Sequence, residues 1–102
     1  MTWENIHVDD YGWAGKLRIV QDGVAVDISS YTTRQFIFRK PDGTEVTKAA
    51  TFVSNGQDGY LQYVAEDGVF DSEGKWRVNA FLAKTNSELT SGTLKFDVEA
   101  RA

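Results

Sequence analysis

His7 is the only histidine in the chain. With Ser29 or Ser30 and one of many aspartates, it has the residue types of a Ser-His-Asp relay. That chemistry needs a serine held on an exposed elbow, and no such motif surrounds either serine. His7 also lies in a terminal segment, so it reads as an exposed or neighbour-contacting side chain. No catalytic residue is assigned. One histidine and no cysteine leave a structural zinc site without its ligands. The acidic pairs Asp9-Asp10, Glu66-Asp67 and Asp71/Glu73 could hold calcium, but no Asp-x-Asp-x-Asp-Gly loop ending in a glutamate is present. Two carboxylates could also serve glycoside hydrolysis, which needs a cleft that a domain of this size has little volume for. Gly56-Gln57-Asp58-Gly59 lacks the Lys-Ser/Thr and the helix of a phosphate loop and reads as a turn. No metal and no cofactor is expected.

Aromatic residues are the more informative set, at 13% of 102 residues. Trp3, Tyr11, Trp13, Tyr31, Tyr60 and Phe81 exceed what one small core holds. Exposed aromatics build protein interfaces or sugar platforms. The segment before residue 14 carries Trp3, Ile6, Val8, Tyr11 and Trp13, and these five are the expected contact to a neighbour.

The elements that must position these residues are strands. Period-2 alternation recurs along the chain and helical periodicity does not. Leu17 and Ile19 precede the hairpin signal Gln21-Asp22-Gly23. Phe36 and Phe38 share a strand face ahead of Pro41-Asp42-Gly43, a turn in which proline presets φ and glycine accepts positive φ. Thr44 to Val53 reads as one return strand. Leu61 and Tyr63 point inward from the next strand. Trp76 and Val78, then Leu94 and Phe96, complete the expected core. Trp76, entered through Asp71-Ser72-Glu73-Gly74-Lys75, is its centre, with Asp71 expected to hold the corner backbone. About seven strands with turn signals every 8–12 residues predict an all-β, Ig-like antiparallel sandwich over 14–102, with residues 1–13 as an N-terminal arm.

Size and charge fit one such domain. Scaling predicts roughly 5,800 Å² of folded surface. Eleven basic and fifteen acidic side chains give a net charge of −4. The cations are scattered along the sequence, with Arg39-Lys40 the only adjacent pair, which argues against nucleic acid and against an anionic membrane surface. No apolar run approaches the ~20 residues of a membrane span. Met1 to Asn5 lacks the basic flank and apolar stretch of a signal peptide, so synthesis in a host cytoplasm is expected.

Four ordered elements carry a resemblance. They are Val26-Asp27-Ile28-Ser29, Phe36 to Thr44 with its Pro-Asp-Gly turn, Gly56 to Tyr63, and Phe70-Asp71-Ser72-Glu73-Gly74-Lys75-Trp76. In this order the chain, from about Gly15 to Val98, resembles the small Ig-like N-terminal domain of phage baseplate upper proteins and short stand-alone phage relatives. The resemblance implies a non-enzymatic part of a phage virion, at the tail or baseplate, neck or capsid surface. Its partners would be other phage structural proteins or further copies of itself, and the family implies no catalytic residues. The alternative reading is a carbohydrate- or receptor-binding β-sandwich module.

Overall fold

The computed structural model describes Trp3 and residues 6–100; Met1, Thr2, Glu4 and Asn5 of the arm, and Arg101 and Ala102, lie outside them. The described residues form eleven strands and no helix: β1 (Ile6–His7), β2 (Ala14–Arg18), β3 (Val20–Gln21), β4 (Val24–Ala25), β5 (Thr33–Arg39), β6 (Glu45–Ala49), β7 (Thr51–Phe52), β8 (Tyr60–Val64), β9 (Gly74–Lys84), β10 (Ser87–Thr90) and β11 (Leu94–Glu99). The chain is all-β and folds as a sandwich. A six-stranded sheet runs in the order β1-β11-β9-β5-β6, with β10 also paired to β9. Facing it is a three-stranded sheet, β2-β8-β7, and a separate hairpin joins β3 to β4. Folded surface is 6069 Å², near the value expected from size.

Strand β9 is the spine. It pairs with β5 along one side and with β11, then β10, along the other. Its inward residues Trp76, Val78, Ala80 and Leu82 are all fully buried. Large meets small across the register, with Phe36 opposite Ala80 and Phe38 opposite Val78. This interdigitation fills the layer without overlap. Phe96 sits opposite Trp76, and the Trp76 indole N–H donates to the Ser72 carbonyl at 3.0 Å. Ile19, Leu61 and Tyr63 are buried, while Leu17 and Leu94 are partly buried at the margin of the same core.

Turn chemistry fixes the hairpins. Asp22 and Gly23 both take positive φ (52° and 79°), as a two-residue type I′ loop requires. At the β5–β6 turn Gly43 N–H donates to the Lys40 carbonyl, and the Asp42 carboxylate accepts the Thr44 N–H at 2.9 Å. The segment read as a single return strand divides instead. Residues 45–49 pair with β5, Ala50 is buried, and residues 51–52 pair with β8 of the other sheet. The small Ala50 side chain lets the backbone pass between layers there. Asp71 also differs from its expected role: its carboxylate meets Lys40 Nζ at 3.0 Å.

The described part of the arm is built into the sandwich. Ile6 is fully buried and Trp13 is 8% exposed. Strand β1 pairs with β11 in parallel, placing Ile6 beside Val98. The Trp3 ring lies 5.0 Å from Phe96 and 6.0 Å from Phe38, while its indole N–H donates to the Lys16 carbonyl at 2.9 Å. Trp3 is therefore wedged between the two sheets. Gly15 of β2 makes that possible, because a Cβ there would run into the indole.

Candidate partner-contact surface

The residue types of a catalytic relay are dispersed. His7, on β1, has Nδ1 3.8 Å from Asp10 and Nε2 3.4 Å from Glu99. Ser29 Oγ instead donates to Asp27 at 2.6 Å, and Ser30 Oγ accepts from Lys84 Nζ. Two aspartates organise turns. Asp27 holds the Ser29 hydroxyl and N–H, and Asp42 holds the Thr44 N–H; these bonds lower both carboxyl pKa values below the ordinary range. Tyr63 is shifted upward, chiefly by burial and then by its hydrogen bond to Glu66. Among the described residues, no three His, Asp or Glu side chains converge as a metal site would require.

The five aromatic and aliphatic residues expected to meet a neighbour divide by exposure. Ile6 and Trp13 are buried in this chain's own core. The reason is volume: a sandwich without disulfides fills its centre with aromatic rings, and Trp13 lies 5.2 Å from Phe70. Trp3 and Val8 pack partly against the same core. Only Tyr11, at 66% exposure, presents a large apolar surface outward. Of the other aromatics, Tyr31 is buried with its hydroxyl 3.1 Å from Ser87 Oγ. Tyr60 carries Arg18 over its ring at 4.9 Å.

A second surface was not anticipated from sequence. The six-stranded sheet packs the core on one face only, and no outward position of β5, β6, β9 or β11 is buried. Strand register assembles that outer face into rows. One row reads Glu45, Arg39, Arg77, Lys95 across β6, β5, β9 and β11. At about 4.8 Å between strands, three cations stand within about 10 Å. Arg39 is paired with Glu45, and Lys75 lies 3.5 Å from Asp97. Among the described residues neither Arg77 nor Lys95 has an ion-pair partner. Arg39, Lys40, Lys75, Arg77 and Lys95 line one groove of about 370 Å³ around the Pro41 turn, and no acidic residue lines it. Four of the chain's eleven cations, Arg39, Lys75, Arg77 and Lys95, thus gather at one end of the outer face, and Lys40, bonded to Asp71 beside the Trp76 ring, lines the same groove. The next rows are neutral: Thr47, Ile37 and Asn79, then Ala49, Gln35, Phe81 and Thr90.

Arg39, Lys75, Arg77 and Lys95 each follow ordinary alternation on their own strands, and beyond the adjacent Arg39-Lys40 nothing local in the sequence marks the cluster. Only the pairing of β5, β9 and β11 would have revealed it.

The fold is an all-β sandwich with one sheet face open to solvent. The comparison with known families names the class further. Residues 14–102 match the BppU N-terminal domain, a phage baseplate upper protein domain, and the chain belongs to that family. No curated protein matches the chain. The family implies a phage baseplate structural protein, virion-associated and in contact with other phage structural proteins. Trp3, Ile6 and Trp13 lie before the matched residues yet complete the core.

Proposed function

We propose that the chain is a non-enzymatic structural component of a phage particle that acts through protein–protein contacts in a symmetric assembly. The observation that carries this reading is the family match over residues 14–102. Its natural site is the tail baseplate, with neck and capsid decoration as related settings for the same kind of module. Many copies on a symmetric scaffold let individually weak contacts add through multivalency. Self-association into a homo-oligomer belongs to the same proposal, and no step of it needs nucleic acid, a membrane or a cofactor. In the N-terminal segment, Trp3, Ile6, Val8 and Trp13 anchor the chain, and Tyr11 is the member that reaches a neighbour.

Quantitative mass spectrometry of purified particles of the encoding phage tests the proposal. The expected result is a fixed copy number per particle that survives gradient purification. Absence from particles that remain infectious overturns it. The carbohydrate-binding alternative draws less support, because Trp13 is buried and the Tyr60 ring is covered by Arg18.

A further inference from the structure

We propose that the outer face of the six-stranded sheet docks a carboxylate-bearing surface of a neighbouring structural protein, with Arg77 and Lys95 as its anion anchors. The inference rests on the structural reading above and specifies the partner's chemistry.

The first argument is energetic. Arg39 stands opposite Arg77, and Arg77 opposite Lys95. Like charges directly across a strand pair destabilise a sheet. Glu45 offsets one end of the row, and among the described residues the other two cations have no ion-pair partner. A sheet optimised only for folding would place a carboxylate at one of these positions. Retaining the row against its cost is the pattern of a binding surface, where stability is traded for function.

The second argument is complementarity. The chain carries −4 overall, so two copies repel at long range, while this face attracts a negatively charged neighbour. The neutral rows with Ile37 and Phe81 adjoin the cations, and both side chains are half-buried. A polar, charged margin beside a neutral, partly apolar strip is the anatomy of a protein interface. A polyanionic nucleic acid fits less well, because only Arg77 and Lys95 of the row are without an ion pair among the described residues, too few to follow a phosphate backbone.

The test uses the full chain, the double variant R77Q/K95Q and the single variant K95E. Each is first melted. Removing like-charge opposition leaves Tm unchanged or raises it, and K95E raises it by creating a cross-strand pair with Arg77. A marked fall in Tm for both variants would assign the row to folding and overturn the proposal. The ¹⁵N-labelled chain is then titrated with a hexaglutamate peptide at low salt. Amide shifts are expected around residues 37–39, 75–79 and 93–97, lost in both variants and suppressed at high salt. No shifts there, or tighter binding of a thymidine oligonucleotide at the same face, contradicts it.

Finally, particles are assembled with each variant. Lower occupancy than wild type, by tenfold or more for K95E, supports the docking face. Equal occupancy removes this proposal and leaves the structural reading intact, whereas a wild-type chain missing from particles removes both.

Discussion

Gly15 and Trp3 make the most sharply defined pair in the molecule. A strand interior is a poor place for glycine unless something approaches closely, and here the approaching group is an indole. Gly15→Ala should destabilise by about 1–3 kcal/mol, the cost of overpacking a filled site. In a Trp3→Ala background the same change should cost little, because the clash is gone. Urea unfolding of the four chains measures both; equal costs in the two backgrounds would show that the indole is not the obstacle. Trp76, fully buried with its N–H satisfied, should lose about 3–5 kcal/mol on truncation to alanine. Phe81, on the outer face, should lose far less. Trp76's central place could be read from its alternation and its Gly74 entry. Trp3's could not, because the partner of a terminal tryptophan is set by tertiary packing, and the aromatic excess suggested exposure instead.

The two turn aspartates carry the pH dependence at this scale. Asp27 is held mainly by the Ser29 hydroxyl and Asp42 mainly by the Thr44 N–H, so each folded-state pKa lies below the ordinary 3.8. Unfolded, these groups bind protons more readily. Their stabilisation is therefore complete above the ordinary value and is lost as pH falls through the folded-state pKa. Carboxyl NMR titration should give midpoints under 3.8 for both. Midpoints at or above that value would mean the turn bonds do not persist in solution.

Among elements, the period-2 strands and the tight turns were legible because their signals are local. Asp22-Gly23 and Pro41-Asp42-Gly43 demand particular φ values that few other residues accept. The passage from β6 to β7 was not legible. Val46, Lys48, Ala50 and Phe52 keep one continuous alternation while the chain changes sheets. Strand β1 is two residues long and joins β11 in parallel, a pairing without any turn to announce it. The same holds for the cationic row, whose members come from three strands brought together by register alone.

The N-terminal segment carries a prediction of its own. A chain beginning at residue 14 lacks Trp3, Ile6, Trp13 and the pairing with β11. It should melt at a markedly lower temperature and with a broader transition than the full chain, as a thermal scan would show. An unchanged Tm would mean that the segment adds nothing to the fold and is free to act as a separate arm.

At the scale of the whole molecule, charge is segregated. The body measures 44 × 25 × 24 Å and carries a net charge of −4, yet five cations line one groove at the Pro41 end of the open sheet, four of them outward residues of β5, β9 and β11. Family membership makes this a domain of phage baseplate structural proteins, and a part of that kind works through the surfaces it presents to neighbours. The outer face of the six-stranded sheet is left uncovered, with no outward position of β5, β6, β9 or β11 buried. The most direct test is lysine footprinting by acetylation and mass spectrometry, on the free protein and on purified particles. Lys75, with its side chain 87% exposed, and Lys95 should react readily in the free chain and be protected at least severalfold in particles. Lys16, exposed on the opposite sheet, should react in both. Equal labelling of Lys75 and Lys95 in the two samples would contradict the account.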